Sequence, residues 1–223
     1  MSPGSRVGEL YHCGMTNVCE VVVFARAPVP GQVKTRLIPT LGPLRAAALH
    51  RRLTRETLAK AMASGVGPVT LAGHPSAAHP FFACCAARYG VALMGQEGAD
   101  LGERMGEALK RALDRAPMAL LVGTDCPPLT VEDLRAAAGA LGRGADAVLA
   151  PAEDGGYVLI GLRRHNPELF SGIPWGSARV FRETMERLER LNWRVACLPE
   201  RWDLDRPEDL ARLQALRGAR RSA

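Results

Sequence analysis

Aromatic residues are scarce in this chain: Phe, Trp and Tyr make up 5% of its 223 residues. Single-stranded bases stack on aromatic side chains, so the shortage argues against a nucleic-acid partner. No apolar run approaches the roughly 20 residues that a membrane-crossing helix needs. Residues 1–17 have mixed polarity and no apolar h-region, so they do not read as a secretion signal. They read instead as a disordered extension, with Met15 as an alternative start. The cysteines Cys13, Cys19, Cys84, Cys85, Cys126 and Cys197 match no zinc spacing and no disulfide framework. Reduced thiols of this kind point to the cytoplasm. The histidines His12, His50, His74, His79 and His165 are scattered without metal-ligand spacing and read as structural or surface residues. Gly-x-Ser-x-Gly, a Gly-x-Gly-x-x-Gly after the first strand, and the full Walker spacing are all missing, as is any internal repeat.

Positive charge is in excess. Lys and Arg number 29 against 23 Asp and Glu, giving a net charge of +6. That balance fits a soluble, Arg-rich surface or attraction for a small anion. Only the tail (Arg217, Arg220, Arg221) hints at a concentrated basic stripe.

Apolar strand-like runs at 20–25, 68–72, 91–94, 118–123, 146–150, 156–162 and 194–198 alternate with helical stretches at 43–64, 76–88, 102–115, 130–142, 177–191 and 207–217. This alternation predicts an α/β fold: one domain over 18–217, a mostly parallel central sheet flanked by helices, and a basic tail at 218–223. Segment 151–176 is rich in Gly and Pro and leaves room for an antiparallel strand.

In such sheets ligands sit at the carboxyl ends of the strands, and four motifs fall there. The first is FARAPVPGQVKTRL, Phe24 to Leu37. A buried strand empties into a Pro/Gly loop armed with Lys34 and Arg36, which suits a nucleotide's phosphates. Ala25, Arg26, Pro30, Gly31, Lys34, Arg36 and, further on, Arg104 are the candidate nucleotide contacts. The second is Gly123-Thr124-Asp125-Cys126-Pro127. Asp125 could hold a divalent cation bridging two phosphates, or cap a turn before Pro. The third is Asp203-Leu204-Asp205 before Arg206-Pro207-Glu208-Asp209. Asp205, with Asp203 two residues earlier on the same side, could join Asp125 in binding metal, or Asp205 could cap the last helix. The fourth is Glu153-Asp154-Gly155-Gly156-Tyr157. Asp154 could orient an acceptor hydroxyl, act as a general base, or close a tight turn. Arg104 follows a helix start at Asp100, where it could reach a phosphate or a base edge, while Asp100 and Glu103 form a capping pattern. Trp175 could wall the acceptor pocket or sit in the core.

With the motifs DLGERM, LLVGTDCPPL, PAEDGGYVLIGL, PWGS and DLDRPEDL in this order, the chain resembles one bacterial family over Val18 to Leu216. These are the radical-SAM/selenodomain-associated transferases, also labelled arsenosugar-biosynthesis glycosyltransferases. That family is similar to the GT-A superfamily of nucleotide-sugar glycosyltransferases and nucleotidyltransferases. The resemblance implies a single-domain GT-A-like fold using Mg²⁺ or Mn²⁺, with Asp125 and Asp205 at the metal positions and Lys34 and Arg36 in the basic loop. Two departures stand out: Gly123 replaces the first acid of Asp-x-Asp, and the Gly-x-x-x-Arg-Met loop of nucleotidyltransferases is missing.

The leading expectation is a metal-dependent transferase with a nucleoside-diphosphate-sugar donor. Lys34, Arg36 and Asp154 serve catalysis, Asp125, Asp205 and Asp203 the metal, and Asp154, Gly155, Gly156, Tyr157 and Trp175 the acceptor. One alternative is nucleotidyl transfer from an NTP to a phosphorylated small molecule, with pyrophosphate release. Another is a non-catalytic nucleotide-binding protein. An apolar edge strand or helix face could mediate a homodimer.

Overall fold

A computed structural model describes residues 18–222, with no side-chain account beyond residue 219. The 1–17 extension, Met15, and the Arg220 and Arg221 side chains of the tail therefore lie outside the described residues. The chain runs β1 (Cys19–Arg26), α1 (Ile38–Ser64), β2 (Val69–His74), α2 (Pro80–Tyr89), β3 (Ala92–Gly95), α3 (Leu101–Leu113) and β4 (Met118–Gly123). It continues through α4 (Val131–Gly142), β5 (Ala147–Pro151), β6 (Tyr157–Leu162), α5 (Val180–Arg190), β7 (Val195–Cys197) and α6 (Asp209–Ser222). Short 3₁₀ turns lie at Thr35–Leu37 and Pro167–Leu169.

The strands form one sheet in the order β3-β2-β1-β4-β6-β5-β7. β6 runs antiparallel to β4 and β5, and the other pairings are parallel. The antiparallel strand lies in the Gly/Pro-rich region where the sequence left room for one. Helices cover both faces, so the central strands are apolar without alternation. Val21, Val23, Leu120 and Val122 pack toward α1, α2 and α4, in a layer with Leu58, Phe82 and Leu134. Val22, Phe24, Leu121 and Ile160 pack toward α3 and α5, with Met105, Leu109 and Leu188. A third cluster joins Leu37 and Leu53 to Leu204 and Leu213, which seats α6 against α1. Among the described residues, no helix is long and apolar enough to cross a membrane.

Helix starts follow local chemistry. Thr130 and Asp133 form the full capping box that the sequence predicts. Asp100 accepts from Glu103 N at 2.9 Å, while Glu103 reaches Ala99 N rather than Asp100 N. α1 starts earlier than expected, at Ile38, and carries a non-helical Gly42 (φ 74°) just before Pro43. α2 starts later, at Pro80, where His79 accepts from Phe81 N.

Candidate active site

β1 delivers the basic loop to the carboxyl end of the sheet. The loop is folded by its own backbone: Val29 N donates to Ala27 O at 2.8 Å and Gln32 N to Val29 O at 3.0 Å. Lys34 adopts left-handed backbone angles (φ 49°, ψ 42°) and is buried. Its ammonium lies 2.9 Å from Asp125 Oδ1 and donates to the carbonyl of Leu204. Leu204 N in turn donates to Asp125 O at 2.8 Å. One buried cation thus ties the phosphate-loop candidate, the end of β4 and the segment before α6 into a single cleft. At the mouth, Arg36 pairs with Asp205, and both side chains are exposed.

Asp125 presents two different oxygens. Oδ1 is shielded from solvent, yet the side chain as a whole stays 46% exposed, so the opening lies on the other side of the carboxylate. Burial favours the protonated acid, but the charge of Lys34 and the nearby His50 outweigh it and hold Asp125 well below the usual carboxylate range. Asp203 behaves oppositely. Burial, then the charges of Asp125 and Asp154, push its carboxyl up to about 7, with Lys34 opposing and Asp205 adding to the rise. Four acids from three separate segments therefore act on one region.

Two arginine clamps hold the acid-bearing segments together. Arg201 grips Asp133 at 2.6 and 3.1 Å, while Glu153 N donates to Arg201 O at 3.0 Å. Arg212 forks onto Glu153 at 2.7 and 2.8 Å and lies over the Trp202 ring at 4.4 Å. Gly155 sits at φ 86°, and a Cβ there would lie 2.3 Å from Ala178 O, so the loop bearing Asp154 passes too close for any side chain.

Several candidates are engaged in other contacts. Asp205 does not cap α6: Asp209 Oδ2 accepts from Asp205 N and Arg206 N, which frees the Asp205 carboxylate for Arg36. Asp154 is exposed and accepts from Gly156 N at 2.9 Å, the tight turn that was its bland alternative. Arg104 donates to Asp100 O and to the His74 ring, 3.0 Å away. His74 stays neutral and accepting, because burial and then the Arg104 charge lower its pKa. Arg26, Pro30 and Gly31 are exposed. Ala25 offers no side chain to a ligand, since it is buried and its carbonyl receives Gln96 Nε2 at 3.3 Å.

Tyr157 and Trp175, the aromatic acceptor candidates, are half-buried. Their rings meet edge-on at 6.5 Å and pack against the apolar layer under α3 and α5 while staying partly exposed. The Tyr157 hydroxyl is buried, and Gly102 comes so close to Trp175 that a Cβ there would lie 2.5 Å from its Nε1. An aromatic ring before a helix carries no sequence mark that separates a pocket wall from a core plug.

Sequence reasoning missed His50, which lies 3% exposed on α1 with Nδ1 3.7 Å from Asp125 Oδ1. A helical-period signal existed: His50 follows Ala46 and Ala47 and precedes Leu53 and Thr54 on one buried face. It also missed the Leu204 carbonyl, for which no side-chain signal exists.

Among the described residues, no three His, Cys, Asp or Glu converge to hold a metal by themselves. Asp125 keeps an open side, and Asp205 is held only by an exposed ion pair. Magnesium takes one or two carboxylates plus phosphate oxygens and water, so this donor set fits a cation that arrives on a substrate's phosphates.

The sheet order and the cleft at the ends of β1 and β4 define a transferase of the GT-A-like, nucleotide-diphospho-sugar transferase fold. A structure from Desulfovibrio desulfuricans G20 described as a "putative nucleotide-diphospho-sugar transferase" is 34% identical, covers 84% of this chain and 82% of its own, and gives a TM-score of 0.77. Glucosyl-3-phosphoglycerate synthase from Mycobacterium tuberculosis, solved with Mn²⁺, UDP and glucosyl-3-phosphoglycerate, shares the fold at 14% identity (TM-score 0.54, covering 87% of this chain and 75% of that one). Phosphoenolpyruvate guanylyltransferase from Rubrobacter xylanophilus is 32% identical over 202 residues, spanning 88% of this chain and 95% of that protein. The chain belongs to the family described as "Uncharacterized protein conserved in bacteria (DUF2064)", whose profile matches residues 57–177.

Proposed function

We propose that this protein is a metal-dependent nucleotidyltransferase that joins a nucleoside triphosphate to a phosphorylated small-molecule acceptor and releases pyrophosphate. The observation that carries this reading is the double pairing in the cleft: Lys34 with Asp125, and Arg36 with Asp205. The cations and carboxylates of the cleft neutralise one another. A triphosphate offers both cations stronger anionic partners, and their shift toward it leaves the carboxylates facing the cation it carries. When bound, Mg²⁺ or Mn²⁺ at Asp125 and Asp205 supplies charge neutralisation on the leaving diphosphate.

In the reaction an acceptor phosphate oxygen attacks the α-phosphorus. The bond from that phosphorus to the β-phosphate oxygen breaks, and its electron pair leaves with pyrophosphate. Lys34 supplies a point charge and Arg36 a two-pronged donor to the oxygens that gain charge. The loop of Asp154, Gly155 and Gly156 borders the acceptor side, where Asp154 orients the acceptor. Position 123 supports phosphoryl over glycosyl chemistry: it is Gly with open space around it, where glycosyltransferases carry a further acid. The guanylyltransferase relative makes GTP and phosphoenolpyruvate the first pair to test.

Glycosyl transfer from a nucleoside-diphosphate-sugar, the activity implied by the family label that the motifs resemble, is the second reading. The 34%-identical nucleotide-diphospho-sugar transferase supports it. A thermal-shift panel of NTPs and nucleotide-sugars, each with and without Mg²⁺, separates the two. A ligand that binds only the folded state raises the melting temperature by mass action. The proposal expects a metal-dependent shift with an NTP and pyrophosphate release once acceptor is added. A shift confined to nucleotide-sugars, with nucleoside diphosphate released, would sink it.

A further inference from the structure

His50 is a buried polar group that the reaction scheme leaves without a task. It sits on α1, which packs on β1, and it reaches two parts of the cleft at once. Nε2 lies 3.0 Å from the Arg26 carbonyl at the end of β1. A carbonyl only accepts, so Nε2 carries a proton and donates. The opposite ring nitrogen, Nδ1, faces Asp125 Oδ1 at 3.7 Å. Both of these atoms are shielded from solvent and lack an aligned hydrogen bond. Lys34 pairs with the same carboxylate oxygen from the other side at 2.9 Å. Thr54 Oγ donates to the His50 carbonyl at 2.9 Å, which ties the hydroxyl to this turn of the helix.

We propose that His50 is a positioning residue that braces the Asp125 carboxylate against the start of the phosphate loop. The ring is rigid, and its two nitrogens fix the separation between the Arg26 carbonyl and Asp125. Any movement of the loop on nucleotide binding is thereby felt at the carboxylate. The ring also closes off the Asp125 oxygen that Lys34 holds, so the carboxylate presents its other side to the cleft. This role rests on the transferase reading for its effect on turnover, but the brace itself is a physical contact that can be measured without any substrate.

Two near-isosteres split the ring's functions. In His50→Gln the amide nitrogen falls near the former Nε2 and keeps the bond to Arg26 O, while the group facing Asp125 is lost. In His50→Asn the amide falls near the former Nδ1 and keeps a polar group facing Asp125, while the tie to Arg26 is lost. The first measurement is a chemical-denaturation cycle of wild type, His50→Gln, Asp125→Asn and the double variant. The brace predicts non-additivity of about fivefold or more in the unfolding equilibrium constant (~1 kcal/mol). Additive effects would overturn the proposal whatever the protein's reaction. The second is kcat and KM for the NTP. Positioning predicts that Gln lowers kcat about tenfold or more with KM within about twofold, while Asn raises KM several-fold. Equal kcat and KM per folded molecule in both variants, despite lowered stability, would reduce His50 to a structural residue and reject the positioning role. Coupling in the cycle without turnover on any nucleotide in wild type would count against the transferase reading and leave the brace in place.

Discussion

Asp203 makes the acid cluster measurable. Its carboxyl is pushed up to about 7 by burial and by Asp125 and Asp154, against an ordinary value of 3.8. Between about pH 4 and 7 the folded protein holds a proton that the unfolded chain has released, so stability falls as pH rises through that window. That rise corresponds to at most ~4 kcal/mol. Turning of the carboxylate toward Lys34 or water reduces this, and about half is a reasonable expectation. Asp203→Asn mimics the protonated acid at every pH. The variant should already lead wild type by ~1 kcal/mol at pH 4.5, where the unfolded chain has released most of its proton, and by ~2 kcal/mol at pH 8. For a domain of this size that is roughly 4–8 °C in Tm. Thermal unfolding of both proteins from pH 4.5 to 8, with EDTA present, reads the difference directly. An advantage that is absent, or equal at both ends of the range, would refute the claim that these acids share one region.

Other outcomes follow from the same geometry. Asp125→Asn should keep the fold and reduce kcat about a thousandfold, since it removes charge where diphosphate charge must be balanced; retained turnover would remove Asp125 from the mechanism. Gly155→Ala should lower stability by about 2–4 kcal/mol and impair turnover, because its Cβ meets Ala178 O at 2.3 Å and its φ is positive; near-wild-type melting would contradict the loop geometry. Glu20, 2% exposed at the far end of β1, takes the fork of Arg115 at 2.6 and 3.0 Å and the Thr70 hydroxyl at 2.7 Å. Glu20→Ala should cost about 2–4 kcal/mol in denaturant unfolding while leaving kcat per folded molecule unchanged.

The layered fold was legible because both faces of the sheet are covered. Runs such as Val21-Val22-Val23-Phe24 and Leu120-Leu121-Val122 need no alternation, and the amphipathic stretches between them mark the helices. The basic loop and the acids at strand ends were legible for the same topological reason: βαβ units deliver every loop of that type to one edge. The rest was not legible because it depends on three-dimensional accidents of packing. His50 looks like any helical histidine until α1 packs on β1 and sets the ring beside Asp125. Asp205 and Asp209 are equally good caps in sequence, and only the Arg36 partner assigns them different roles. Tyr157 and Trp175 lean on the apolar layer while staying partly exposed, and only Gly102 lets α3 pass so close to the indole.

Product analysis tests the central claim most directly. Phosphorus NMR of the wild-type protein with Mg²⁺, GTP and phosphoenolpyruvate follows every phosphorus atom at once. Nucleotidyl transfer predicts loss of the triphosphate signals, with pyrophosphate and a new diphosphate linkage appearing in equal amounts. Intact NTP with this and every other phosphorylated acceptor, alongside consumption of a nucleoside-diphosphate-sugar and release of nucleoside diphosphate, would contradict it.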